Sequence, residues 1–165
     1  MSLPSWAVVG PERRAHIERV AAQLDDWAGA MRVPEAERGR WLRAAWLHDA
    51  LRDAPAVNDL EHGPRAADRA ARDGEADRGV LDAVRYHSLG YAGWDEVGRM
   101  LYLADYLEPG RKFGREERAA LRSRVPAERD VALVEVARRR LTWAVSSGWP
   151  LPKETVEFWN SLVRR

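Results

Sequence analysis

Six residues of this chain combine chemically active side chains with positions at or beside the apolar faces of expected helices. They are His16, His48, Asp49, His62, His87 and Asp105. They come from five segments that are well separated in the sequence, so only a folded chain can bring them together. Neutral imidazole nitrogens and carboxylate oxygens are the ligands that iron, manganese, cobalt and zinc accept in proteins. If the five segments converge, the expected chemistry is that of a divalent metal site.

The spacing of these residues from neighbouring apolar residues favours convergence. His87 follows Val80 by seven residues and Val84 by three, and Asp105 follows Leu101 by four. These intervals place the imidazole and the carboxylate at the apolar faces of their helices. A single histidine is more often an ordinary hydrogen-bonded residue. Four imidazoles and two carboxylates buried together without metal, however, would leave charge and polar groups unpaired at low dielectric. The joint pattern therefore indicates metal binding.

Length and composition exclude several other classes of protein. The chain has 165 residues, with 27 basic and 26 acidic ones, and a net charge of +1. This balance argues against a protein that binds nucleic acid or a membrane surface, which would carry a clustered basic excess. Cysteine is absent, which excludes disulfides, thiolate metal sites and cysteine nucleophiles. With no expected signal peptide and no apolar run of about 18 residues, the sequence predicts a soluble cytoplasmic protein.

Helical periodicity runs through almost the whole chain, and no segment alternates apolar and polar residues long enough to predict a strand. We expect one all-α domain over residues 1–165, because no linker or repeat divides the chain. The expected helices are one through Ile17–Met31, one from Pro34, one from Pro64 to Gly74, one through Val80 into His87, one ending before Pro109, one through Val134–Ala144 after a charged connector that contains Gly114 and Pro126, and one through Val156–Val163.

Five short segments carry a resemblance to a known family. They are Arg14-Ala15-His16, Leu47-His48-Asp49-Ala50-Leu51-Arg52, His62-Gly63-Pro64, Arg85-Tyr86-His87-Ser88 and Ala104-Asp105-Tyr106-Leu107-Glu108-Pro109. In this order they resemble the YqeK family of the HD-domain metallohydrolase superfamily, whose members are bacterial symmetrical diadenosine tetraphosphate hydrolases. The resemblance covers roughly residues 12–163. It implies a single HD-domain helical bundle with a metal centre in its core.

The resemblance also implies a ligand set and a reaction. One metal would be held by His16, His48, Asp49 and Asp105, and a second by His62 and His87 with Asp49 bridging. Two iron ions are expected, although the ligands also suit manganese or cobalt. A metal-bridging hydroxide would attack an inner phosphorus of diadenosine tetraphosphate and release two ADP molecules. The expected catalytic residues are His48, Asp49 and Arg52.

Substrate contacts are expected from three arginines and from aromatic residues after His87. Guanidinium groups bind phosphate oxygens in bidentate fashion, so Arg52, Arg85 and Arg111 are the phosphate-binding candidates. Tyr91 stands where the family often has arginine, and Tyr91 or Trp94 could stack on a base. The tryptophans on helical stripes are expected in the core: Trp27, Trp41, Trp46 and Trp159. Glu108 could either support a metal ligand from behind or lie on the surface at a helix end.

Three alternatives remain open from the sequence. The chain could be another HD-fold nucleotide phosphohydrolase, a mixed-valent di-iron HD oxygenase, or a nucleotide-sensing HD module without turnover. The expected partner is a nucleotide or dinucleoside polyphosphate, with neither nucleic acid nor a membrane involved. A homodimer is permitted but not required.

Overall fold

The computed structural model describes residues 1–164, and all the regular secondary structure in that range is helical. The α-helices are α1 (Pro11–Ala30), α2 (Glu35–His48), α3 (His62–Arg72), α4 (Arg78–Tyr86), α5 (Glu96–Leu107), α6 (Arg115–Ser146) and α7 (Lys153–Val163). A short 3₁₀ turn, Asp59–Glu61, leads directly into α3. The all-α prediction is confirmed.

Helix α5 is the centre of the bundle. It packs against α1, α2, α4 and α6, and its buried residues lie on every side of the helix. A helix that is apolar all round belongs in the interior. Asp105, one of its last residues, is therefore carried into the core with its carboxylate.

Local chemistry fixes where α4 and α5 begin. The side chain of Asp77 accepts a hydrogen bond from the backbone N–H of Val80, and Asp95 accepts one from that of Val97. Each aspartate satisfies a donor that the first turn of a helix leaves unpaired. The caps set the registers in which His87 follows α4 and Asp105 lies in the last turn of α5.

Close approach of α3 and α4 depends on Gly63. A β-carbon at this position would lie 2.9 Å from the carbonyl oxygen of Arg85 and 3.0 Å from that of Val84. Both neighbours are backbone atoms that cannot swing aside, so glycine lets the two helices meet. His62 and His87 are brought together by this contact.

Two expected helix boundaries are wrong. Helix α3 begins at His62 rather than at Pro64, because a proline in the first turn of a helix loses no hydrogen bond. Helix α6 begins at Arg115, so the part of the expected charged connector that follows Gly114 belongs to the first half of this helix. Pro126 lies inside α6, and the backbone of Glu128 departs from helical geometry there. The proline kinks the helix instead of ending it.

The burial of the tryptophans agrees with the prediction except at Trp94. Trp27 and Trp41 are buried, while Trp46 and Trp159 pack partly buried against the core. Trp94 is only 5% exposed, and its indole N–H donates to the carbonyl oxygen of Asp82. The prediction that Trp94 could stack on a base is wrong, because its faces are covered in the core.

Within residues 1–164, every helix is too short or too polar to cross a membrane.

The contribution of core packing can be isolated on α6 with two identical substitutions. Val136 is fully buried and Val131 is 56% exposed. Both Val→Ala changes alter helix propensity alike, so the difference between their losses in the free energy of unfolding reports the effect of burial. We expect Val136→Ala to lower the free energy of unfolding by about 2 kcal/mol, and Val131→Ala to change it by less than about 0.5 kcal/mol. Urea denaturation followed by circular dichroism measures both. Equal losses would contradict the packing of α6 described above.

Candidate metal centre

The first group of donors joins α1, the end of α2 and α5. The Nε2 atom of His16 lies 3.1 Å from Oδ1 of Asp105, 3.4 Å from Nε2 of His48 and 3.6 Å from Oδ2 of Asp49. Nε2 of His48 lies 3.7 Å from the same Oδ2 of Asp49 and 4.0 Å from Oδ1 of Asp105. All four side chains are buried. The arrangement is compact enough for His16, His48 and Asp49 to hold one metal ion, with Asp105 at its edge.

The second group shares Asp49 with the first. Its other oxygen, Oδ1, lies 3.2 Å from Nε2 of His62 and 3.2 Å from Nε2 of His87. The two imidazole nitrogens are 3.0 Å apart. The carboxylate of Asp49 therefore presents one oxygen to each group of donors, which is the geometry of a bridging ligand. The structure brings together all six residues that the sequence proposed as metal ligands.

The end of α2 explains how two consecutive residues face the same cluster. Neighbouring residues in a regular helix point about 100° apart and do not face one another. His48 is the last residue of α2, and Asp49 follows with a non-helical backbone (φ −107°, ψ 14°). The chain turns at this point, so both side chains reach the interior.

Backbone carbonyl groups orient three of the histidines. Nδ1 of His48 lies 2.7 Å from the oxygen of Ala45, and that of His87 lies 2.7 Å from the oxygen of Val84. Nδ1 of His62 lies 2.5 Å from the oxygen of Asp59. A carbonyl can only accept, so each Nδ1 donates its hydrogen and each Nε2 turns a lone pair towards the cluster.

This donor set fits a divalent cation. The Nε2 atoms of His62 and His87 face each other and the anionic Asp49 at 3.0–3.2 Å, while each Nδ1 is directed to a backbone carbonyl oxygen. Such groups repel one another at low dielectric unless positive charge lies between them. A metal ion supplies that charge and takes all three as ligands.

Electrostatics keeps the acidic ligands ionised. Burial alone would raise the pKa of Asp49, but its contacts with the surrounding imidazoles, His48 and His62 among them, hold the pKa well below the usual range. Burial likewise opposes ionisation of Asp105, while His16 and the guanidinium of Arg111 hold its pKa well below the usual range. Both carboxylates are therefore anionic at neutral pH, the form in which they bind metal.

The pKa values of His48 and His16 are shifted in opposite directions. Burial lowers the pKa of His48 to about 4, so this imidazole is neutral and ready to act as a ligand. Burial also acts to lower the pKa of His16, but its hydrogen bonds to Asp105 and Glu108 outweigh this effect and raise the value to about 9.

Glu108 lies behind His16 rather than on the surface. It is buried, and its Oε1 atom is 3.1 Å from Nδ1 of His16. Its Oε2 atom accepts hydrogen bonds from Nε of Arg19 and from the backbone N–H of Gly110, each at 2.6 Å. Burial opposes ionisation, but these partners lower the pKa of Glu108 to about 2. Of the two roles that the sequence left open, the structure favours support of a ligand.

Three arginines surround the cluster. Arg13 donates to Oδ2 of Asp49 at 2.7 Å, Arg111 donates to Oδ1 of Asp105 at 2.9 Å, and Arg140 donates to Oδ2 of Asp105 at 3.1 Å. Only Arg111 was expected from the sequence. Arg13 could have been found, because it precedes His16 by three residues on one helix face. No local pattern links Arg140 to Asp105, since 35 residues separate them.

The other predicted substrate contacts lie apart from these donors. Arg52 contacts Asp59, with 3.4 Å between Nη1 and Oδ1, and Arg85 pairs with Asp68. Tyr91 stacks on Tyr86 with their ring centroids 4.2 Å apart, so one face of its ring is covered. Within residues 1–164, none of these three side chains has a hydrogen bond or ion pair with the six donors, and their roles stay predictions.

A cleft of about 500 Å³ opens beside Asp105, between α5, α6 and α7. Arg111 and Arg140 line it, so they connect the cleft to the donor cluster. Most of the other lining residues come from α6, α7 and the turn between them.

Comparison with known proteins agrees with this geometry. The HD domain family model matches residues 13–110, a range that contains all six donors. The chain belongs to the HD-domain family. The resemblance to this superfamily drawn from the sequence is confirmed.

Two curated relatives and one solved structure resemble this HD domain. The relatives, from Bacillus subtilis strain 168 and Halalkalibacterium halodurans, are each named symmetrical bis(5'-nucleosyl)-tetraphosphatase. They are 31% and 26% identical to the chain over 107 residues, which make up 64% of this chain and 56% of each relative. The chain thus matches little more than half the length of these relatives.

The solved structure is that of another protein, a predicted HD superfamily hydrolase involved in NAD metabolism from Clostridium acetobutylicum. It superposes with a TM-score of 0.80 at 22% identity, covering 94% of this chain and 90% of the other. At this level of identity, the match demonstrates a shared fold.

The shared carboxylate makes a testable prediction about metal content. We expect the wild-type protein to bind about two divalent ions per chain, His62→Ala to bind about one, and Asp49→Asn to bind fewer than either. The asparagine amide cannot bridge two cations with two anionic oxygens. Elemental analysis after equilibration with Mn(II) or Co(II) measures the stoichiometry. Asp130→Asn, at an exposed acidic position on α6, is the control and should keep wild-type content. Full occupancy in Asp49→Asn would contradict the bridging assignment.

The contact between Glu108 and His16 leads to a second prediction, which concerns the affinity for metal rather than the number of ions bound. Glu108→Gln removes the anionic acceptor behind His16, so metal affinity should fall about 10–100-fold while full occupancy stays attainable at high metal concentration. Titration with Co(II), followed by its visible absorption, measures the affinity. Glu116→Gln, an exposed change on α6, should leave it unchanged. An unaltered affinity in Glu108→Gln would show that Glu108 does not tune His16.

Proposed function

We propose that this HD domain is a divalent-metal-dependent phosphohydrolase that cleaves diadenosine tetraphosphate symmetrically into two ADP molecules. The observation that supports it best is the bridging geometry of Asp49. One carboxylate facing two groups of histidines is suited to a pair of cations, and paired cations are a recurrent device for hydrolysing phosphate bonds.

His16, His48, Asp49 and Asp105 would hold one ion. His62, His87 and the second oxygen of Asp49 would hold the other. Iron is the proposed metal, and the nitrogen and oxygen ligands also suit manganese or cobalt. When bound, such ions act as Lewis acids, polarise phosphoryl oxygens and lower the pKa of water.

The protein's own contribution is to bind and orient a polyanion. Arg111 and Arg140 both donate hydrogen bonds to the carboxylate of Asp105, and Arg13 donates one to the carboxylate of Asp49. With metal bound, the negative charge of these carboxylates would be neutralised, and the guanidinium groups would be free to donate to phosphate oxygens. Three arginines around the cluster thus favour a substrate with several linked phosphates over a monoanionic one.

Arg52 keeps its proposed catalytic role on different grounds. It follows the His48-Asp49 pair by three residues, and its guanidinium contacts Asp59, whose carbonyl oxygen orients His62. A phosphate approaching the second group of donors would compete with Asp59 for this guanidinium. Arg85, held by Asp68, remains the weaker candidate.

The names of the two curated relatives support the choice of substrate and the symmetrical cut. Hydrolysis at the central anhydride consumes one water molecule and returns two identical products. The substrate therefore presents equivalent halves to the site.

The product pattern tests this proposal. Protein loaded with Fe(II), Mn(II) or Co(II) should convert diadenosine tetraphosphate into ADP alone, as resolved by ion-exchange chromatography. His48→Ala and Asp49→Ala should each lower kcat by more than about 100-fold, since losing a ligand costs more than losing a partner behind one. Asp130→Asn serves as the control.

Formation of ATP and AMP in place of ADP would overturn the symmetrical cut. Wild-type turnover in His48→Ala or Asp49→Ala would overturn the assignment of the site. Substrate loss coupled to oxygen consumption would place the protein among the oxygenases of the same fold.

A further inference from the structure

The cleft beside Asp105 is cationic although the chain as a whole is nearly neutral. Five of its lining residues are basic: Arg111, Lys112, Arg118, Arg139 and Arg140. Among residues 1–164, no aspartate or glutamate lines it. Two of these arginines touch Asp105, so they link the positive lining to the donor cluster. A chain of phosphates extending from that cluster would find complementary charge along the cleft.

The far part of the cleft is aromatic and open to solvent. Trp143 is 60% exposed and Trp149 is 54% exposed, and the two indoles make an edge contact, with ring centroids 5.3 Å apart and planes inclined by 60°. Trp143 follows Arg139 by four residues and Arg140 by three on α6, so cations and indole share one helix face. Stable proteins seldom leave two adjacent tryptophans this exposed unless the surface contacts something else.

The end of α6 holds Trp149 in this place. Gly148 adopts a left-handed conformation (φ 71°), and the backbone N–H of Trp149 donates to the carbonyl oxygen of Ala144 at 2.9 Å. This is the geometry that closes a helix with glycine. It folds the chain back, so that the indole of Trp149 meets that of Trp143.

We infer that Trp143 and Trp149 form a stacking site for the adenine of the nucleotide whose phosphates lie at the donor cluster. The inference rests on the proposed function, and it adds a base-recognition element to it. A cavity of about 500 Å³ is within the range that binds small ligands. Aromatic side chains bind nucleobases through their flat faces with little dependence on sequence context. Both tryptophans lie beyond residues 13–110, so the site belongs to the C-terminal helices rather than to the matched HD core.

Equilibrium binding measurements can distinguish recognition of the base from recognition of the phosphates. ADP and pyrophosphate share a diphosphate, and only ADP carries a base. With the metal-loaded protein in isothermal titration calorimetry, we expect Trp143→Ala and Trp149→Ala each to weaken ADP binding about tenfold. Pyrophosphate binding should stay within about twofold of wild type. Trp143→Phe, which keeps an aromatic face, should retain most of the ADP affinity, whereas Trp143→Leu should not.

A tryptophan outside the cleft provides the control. Trp6 is partly buried and its indole donates to Asp73, so Trp6→Ala should leave both affinities unchanged. Equal weakening of ADP and pyrophosphate, wild-type ADP binding in the Trp143 and Trp149 variants, or no ADP binding by the wild type would overturn the stacking site.

The same variants distinguish this inference from the proposed function. If the wild type shows tryptophan-dependent ADP binding but hydrolyses no dinucleotide, the function fails and the stacking site stands. If it cleaves diadenosine tetraphosphate with an unchanged KM in Trp143→Ala and Trp149→Ala, the function stands and the stacking site fails.

Discussion

The carboxylate of Asp49 places two oxygens in a buried space where four imidazoles converge, and the rest of the structure must compensate for that charge. Partial compensation comes from Arg13, which donates to one oxygen. The remaining oxygen faces His62 and His87, whose Nδ1 atoms are directed outwards to carbonyl groups. An interior of this kind is stable when a cation occupies it, and folding and metal binding are then coupled.

Much of this arrangement could be read from the sequence, and the reason is the regularity of helices. Apolar spacing assigns a side chain to one face of its own helix, which is how His87 and Asp105 were placed in the interior. The same reasoning does not give the relative positions of helices that are distant in sequence. Arg140 reaches Asp105 only because α6 packs across α5, and no local pattern encodes that contact.

The errors have equally local causes. Pro126 suggested a break, yet packing of both halves of α6 against the bundle retains a kinked helix. Trp94 follows a glycine-rich loop and looked available for stacking, but its indole packs against both Tyr102 and Phe158 in the core. The exposed pair of tryptophans lies at the end of α6 instead, where a glycine-dependent turn brings it together. The number of domains and the association of copies stay predictions.

The way α2 ends also determines which insertions and deletions the protein can tolerate. His48 is the final helical residue and Asp49 the first non-helical one, so lengthening α2 by a single residue would rotate both donors by about 100° and shift them along the axis. The stretch from Ala54 to Val57, which has no regular structure, carries no such restriction. Variation in chain length can therefore accumulate there while the donors of the centre stay in register.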